Sequence, residues 1–169
     1  MLYNSKTIAF YRVIAASQIA GRRERNQTMI ISTKGRYALR VMLDLTEHNT
    51  GEYIPLKDIA KRQEISIKYL ENILASLSRA DLVDAVRGKG GGYRLSKKPE
   101  EYSAGEILRL AEGGLASVNC LKGGRHGCEK ATQCKALPLW QGLDRVVYDY
   151  LNSYSLADLQ KVESENCQE

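Results

Sequence analysis

Histidine is nearly missing from this sequence. Only His48 and His126 occur among 169 residues, and neither belongs to a serine–histidine–acid arrangement of the kind hydrolases use. No enzyme is expected. His48 reads as a partner for the C-terminal dipole of a helix. No apolar run approaches the roughly 20 residues that a spanning helix needs, so no membrane association is expected. Cysteine is also scarce, with Cys120, Cys128, Cys134 and Cys167 the only examples. Secreted domains stapled by disulfides are usually shorter and denser in cysteine, so these thiols read as reduced and the chain as cytoplasmic. The glycine-rich stretch "GKGGGY" (Gly88–Tyr93) lacks the spacing of a phosphate-binding P-loop, and a nucleotide-cradling site is not supported.

Charge is present but unevenly shared. Residues 1–28 carry five basic groups against one acidic, residues 29–98 thirteen against eight, and residues 99–169 seven against eleven. A basic front and an acidic back suggest a polyanion binder followed by a unit with another duty. Residues 1–28 read as an N-terminal extension that adds no domain, either disordered or the product of an upstream start. Arg12 interrupts its apolar stretch and no cleavage site follows, so no signal peptide is expected.

From residue 29 the pattern becomes regular. "STKGRYALRVMLDLTEHN" places Tyr37, Ala38, Val41, Met42 and Leu45 at helical spacing, with Ser32 or Thr33 as cap. A break at Thr50–Gly51 and a short extended piece at Tyr53–Ile54 follow. Pro55 suits the first turn of a helix over Leu56–Gln63 that buries Leu56, Ile59 and Ala60. Ser66 then caps a longer helix with Ile67, Leu70, Ile73, Leu74 and Leu77 on one face. Next come two strands around Val83–Val86 and Tyr93–Leu95, joined by Gly90–Gly92. A short helix, a tight turn, a longer amphipathic helix and a β-hairpin make a winged helix-turn-helix over residues 29–98. Residues 99–169 hold a helix over Ser103–Glu112 stopped by Gly113, then the cysteine segment. A long helix follows, with Pro138 in its first turn and Trp140, Leu143, Val147, Tyr150, Leu151 and Tyr154 along one face. Ser155 and Asp158 form a capping box for a last short helix. The fold class is mainly α with a small β-wing, and the long helix reads as a dimer seam.

The N-terminal end of a recognition helix reaches base edges in the major groove. Ser66, Lys68, Tyr69, Glu71 and Asn72 occupy that end. At the wing, Arg87 and Lys89 suit phosphates or a minor groove, and Gly90 and Gly91 permit close backbone approach. The plainer alternative is a helical repeat with a solvated basic loop. The segment "CLKGGRHGCEKATQC" has no C-x-x-C pair of the sort zinc often uses. Its wide spacing suits a larger group such as an iron–sulfur cluster. Zinc held by Cys120, Cys128, Cys134 and His126, a thiol switch, and three ordinary loop cysteines all stay open on spacing alone. Cys167 lies apart in the polar tail.

The stretches "MIISTKGRYALRVMLDL", "IPLKDIAKRQEISIKYLENILASLSRADLV" and "VRGKGGGYRLSK", with the downstream cysteine trio, resemble the Rrf-two family of bacterial winged-helix repressors, and its iron–sulfur-regulating members most of all. The resemblance runs from about Met29 to Leu159. It implies a homodimer on a double-stranded DNA operator, with Ser66–Arg79 as recognition helix and Arg87 probing a minor groove. It implies that Cys120, Cys128 and Cys134 hold a 2Fe–2S cluster whose occupancy selects operators, with Glu71 taking part in that choice. A 4Fe–4S cluster or zinc remains an alternative, and His126 is a candidate fourth ligand. The first cysteine gap is longer than in that pattern, and Leu137 stands where it places a histidine. A thiol- or zinc-dependent regulator of the same fold is the second reading. Regulation through binding a metabolic enzyme is the third.

Overall fold

The computed structural model describes residues 31–122 and 129–161; the extension expected over residues 1–28 lies outside them. Helix α1, Thr33–Glu47, starts because the Ser32 side chain accepts from the Gly35 N–H, satisfying a donor that the first helical turn leaves unpaired. The spacing of its apolar residues turns Ala38, Val41, Met42 and Leu45 inward, and all four are buried. Helix α2 spans Leu56–Gln63 as expected, with Pro55 as its cap rather than inside its first turn. Glu64 closes α2 in the left-handed region, with φ 55°. The Ile65 N–H returns to the carbonyl of Ala60, and Ser66 caps helix α3, Ile67–Arg79, by accepting from the Tyr69 N–H. Three residues thus reverse the chain between α2 and α3.

Leu70, Ile73, Leu74 and Leu77 of α3 are buried as their spacing predicts, but Ile67 is 44% exposed. It is the first residue of the helix, so its side chain lies beyond the end of the core. The wing pairs β1, Val83–Val86, antiparallel with β2, Gly92–Leu95, in the register Val83↔Leu95 to Val86↔Gly92. Gly92 belongs to the strand rather than to the connection. Ile54 adds a third, one-residue pairing to Tyr93, with both backbone bonds at 2.9 Å. A side chain at Gly92 would collide with the Ile54 carbonyl, so this close approach requires glycine there.

The core does not stop at the wing. Tyr102 is buried; its hydroxyl donates to the Leu82 carbonyl and accepts from the Lys97 N–H, each at 2.8 Å. Helix α4, Ala104–Glu112, is capped by Ser103 and ended by Gly113 at φ 72°. Its Ile107 and Ala111, together with Leu156, share one core with α1 and α3. Helix α5, Leu137–Asn152, has no fully buried residue. Helix α6, Leu156–Gln160, starts with the predicted Ser155–Asp158 box. Backbone bonds from Ala104 to Tyr154 (2.9 Å) and from Leu156 to Tyr102 (3.1 Å) fasten the chain after α5 to the start of α4. Among the described residues no helix is long and apolar enough to cross a membrane.

One carboxylate sets α2 against α1. Asp44 lies on the inward face of α1 and is 1% exposed. Arg62 donates to both its oxygens, at 2.8 and 2.7 Å, and Gln63 donates at 3.0 Å. Arg40 in turn donates to the side chain and carbonyl of Gln63. Burial pushes the Asp44 pKa up, but the Arg62 and Gln63 hydrogen bonds and the Arg62 charge outweigh it and hold the carboxyl below its ordinary range. Asp44→Asn should cost about 1–3 kcal/mol, because Arg62 keeps a charge without its partner. The native pair stabilises fully above the ordinary carboxylate pKa of 3.8 and loses that effect as pH falls through the lower folded value. Thermal unfolding of the two proteins across pH checks this. The gap between them should be constant near neutrality and shrink in acid; a gap that persists in acid would remove Asp44 from this role.

Candidate nucleic-acid interface and cysteine site

The buried row Leu70–Leu77 fixes which side of α3 faces outward. Lys68, Glu71 and Asn72 are exposed, and no hydrogen bond or ion pair within the described residues occupies them. Ser66 is committed to its cap, with the Tyr69 N–H at 3.4 Å. Tyr69 is half-buried, its ring edge-on to Tyr37 of α1 with centroids 5.9 Å apart. Arg40 lies over the same Tyr37 ring at 5.3 Å. The structure therefore separates the five sequence-predicted residues of α3. Lys68, Glu71 and Asn72 are open to a partner, while Ser66 and Tyr69 also shape the helix start. Ile67 is exposed at the same end, an apolar side chain of the kind that can meet a thymine methyl. It was hidden in the sequence because it continues the apolar spacing.

Arg87, Lys89 and Gly90 are exposed at the wing tip and Gly91 is half-buried. Gly88 and Gly90 have φ of 100° and 78°, values that side chains adopt with strain. The Gly91 N–H closes the tip on the Gly88 carbonyl at 3.0 Å. Arg94, near the same hairpin, is otherwise engaged. It donates to Asp84 at 3.2 Å and to the Gly51 carbonyl at 3.3 Å, and stacks over Tyr53 at 4.6 Å. It holds the wing root to the segment before α2.

The cysteine segment lies between α4 and α5. Cys120 sits in a 3-10 turn, Asn119–Leu121, and Cys134 ends another, Ala131–Gln133, three residues before α5. Both are free thiols and partly exposed. They are soft sulfur donors outside the packed core, which is the chemistry an iron–sulfur cluster requires. Cys128, His126 and Cys167 lie outside the described residues. Among the described residues no three His, Cys, Asp or Glu side chains converge on a metal position.

The segment is tied to α5. The Ser117 N–H donates to Asp144 at 2.7 Å, and Arg109 of α4 lies over the Tyr148 ring at 4.7 Å. Asn152 accepts from Ser103 at 2.8 Å and from Arg109 at 3.0 Å. A cleft of about 360 Å³ is bounded by Arg109, Leu121, Lys122, Asp144 and Tyr148. The apolar stripe expected on α5 divides in two. Trp140, Val147 and Leu151 are half-buried against the chain. Leu143 and Tyr150 instead join Leu139 and Val146 on an outer face, at 38%, 53%, 65% and 64% exposure.

Comparison with known proteins identifies the family. The Rrf2 family profile, described as an iron-dependent transcriptional regulator, matches residues 31–162. The HTH-type transcriptional regulator IscR of Aliivibrio salmonicida is 39% identical over 131 residues, which are 78% of this chain and 77% of that protein. IscR of Vibrio cholerae is 37% identical over 131 residues, 78% of this chain and 75% of that protein. Among solved structures, the global cysteine regulator CymR of B. subtilis superposes with a TM-score of 0.63 at 35% identity, covering 79% of this chain and 97% of that one. T. potens IscR gives 0.60 at 34% identity, covering 82% and 92%. The chain belongs to the Rrf2 family of transcriptional regulators.

Proposed function

We propose that this regulator is a cytoplasmic, homodimeric repressor that binds an operator through α3 and the wing and reads iron–sulfur status through Cys120, Cys128 and Cys134. The observation that carries the DNA reading is the bare face of α3 beside a basic wing tip. Lys68, Glu71 and Asn72 reach base edges, Glu71 by accepting from cytosine or by repelling unsuitable sites. Ser66 and Tyr69 set the entry of the helix. Arg87 and Lys89 contact phosphates or the adjacent minor groove, and Gly90 and Gly91 let the backbone come close.

The three thiolates would hold the cluster, and 2Fe–2S is the type favoured here. When bound, it supplies a rigid, redox- and iron-sensitive link across the loop. This chain's own residues pass that constraint on, because Ser117 is held by Asp144 of α5, and Asn152 and Arg109 join α5 to α4. The full chain purified without oxygen should be brown, with charge-transfer absorption and matching iron and sulfide. Cys134→Ala should lose the colour. A colourless protein carrying stoichiometric zinc would overturn the cluster and leave the DNA reading standing.

The outer face of α5 supports the dimer. Leu139, Leu143, Val146 and Tyr150 recur at intervals of four, three and four residues, the spacing of a helix–helix seam. Apolar side chains this exposed on one helix face are what a partner copy covers. Light scattering should give a dimer for the native chain and a monomer for Val146→Glu. A monomeric native chain at micromolar concentration would refute the seam.

A further inference from the structure

We propose that the cleft between the C-terminal half of α3 and the wing seats the sugar–phosphate backbone of the DNA strand that divides the groove read by α3 from the groove reached by the wing tip, with Arg79 as its phosphate contact. This deepens the DNA reading above and rests on it. The cleft measures about 600 Å³ and is lined by Ala75, Ser78 and Arg79 of α3 and by Ala85, Val86, Arg87 and Tyr93 of the wing. Two guanidinium groups border it, and none of its lining residues is acidic. Among the described residues Arg79 bonds only to the Ala75 carbonyl one turn back, at 3.0 Å. Arg87 has no hydrogen bond or ion pair among the described residues. Two unpaired cations facing one cleft define a place for an anion.

The floor fits the rest of the backbone. Ala75, Ala85 and Val86 are small, apolar and exposed, a surface on which deoxyribose can rest. The Ser78 hydroxyl offers one more donor to a phosphate oxygen. The position along α3 separates Arg79 from base reading. Lys68, Asn72, Ala75 and Arg79 are all exposed, and their spacing puts them on one stripe of the helix. Arg79 stands about 16 Å beyond Lys68 at 1.5 Å per residue. The major groove is about 12 Å wide and 8.5 Å deep. When the Lys68 end reaches base edges, Arg79 is level with the phosphates that wall the groove.

Fluorescence anisotropy on the full chain tests this across a salt series. Two duplexes are used, one selected by the native protein from a random pool and one of shuffled sequence. Arg79→Ala should flatten the slope of log affinity against log salt by about 0.9 per protomer. It should weaken both duplexes by the same factor, about fivefold per protomer near 0.15 M salt. Arg79→Lys should keep the native slope. Arg79→Gln reports the same loss of charge if the alanine variant proves poorly helical by circular dichroism. An unchanged slope, or a loss confined to the selected duplex, would overturn the phosphate assignment while native binding still upheld the DNA reading. A native chain that binds neither duplex would overturn both.

Discussion

The rotation of α3 about its own axis is the constraint on which the other features depend. Leu70, Ile73, Leu74 and Leu77 have no water-exposed alternative that keeps the core closed, since all four are essentially inaccessible. Their burial turns Lys68, Asn72, Ala75 and Arg79 outward together. The same setting places the C-terminal half of the helix against the wing. A helix rotated by one residue, about 100°, would turn Glu71 inward and Leu77 outward. It would also remove one wall of the cleft. Packing and recognition are therefore two faces of a single rotational choice, reinforced from behind by the Asp44–Arg62–Gln63 cluster.

Much of this was legible in the sequence because the signals are periodic and local. The apolar spacing of α1 and α3, the caps at Ser32, Ser66 and Ser155, and the stop at Gly113 depend on neighbouring residues and can be read from them. The wing was visible through its β-branched residues and glycines. What escaped reading depends on distant partners. Asp44 looks like any surface carboxylate until Arg62, 18 positions on, is folded against it; its place on the apolar face of α1 was the available signal. Arg79 looks like a solvated end of a helix until β1 forms the opposite wall. The stripe on α5 reads as one face in the sequence because a single helical period admits both of its sides. Only the contacts with α4 and the Ser117 segment decide that Val147 turns inward and Val146 outward. Ile67 failed for the converse reason, since its spacing is right but the core ends before it.

The acidic half and the basic half share one hydrophobic core and are joined by specific polar contacts as well. Ser117, three residues before Cys120, is held by Asp144 on α5, and α5 reaches α4 through Asn152 and Arg109. The Ser32 N–H at the head of α1 is held by Glu112 at the end of α4, at 2.9 Å. A constraint placed on the cysteine loop thus has a continuous packed route to the helices that carry the reader. Such a route transmits a signal only if the loop has two states that the reader distinguishes.

Reciprocity makes that condition measurable. Affinities for two operators, selected separately by cluster-loaded and cluster-free protein, are determined without oxygen for both forms of the same preparation. The ratio of the two affinities should change with loading, by the roughly 5- to 150-fold that typical coupling between sites produces. A ratio identical in the two forms, with the cluster verified by iron and sulfide, would contradict sensing through the cysteine loop.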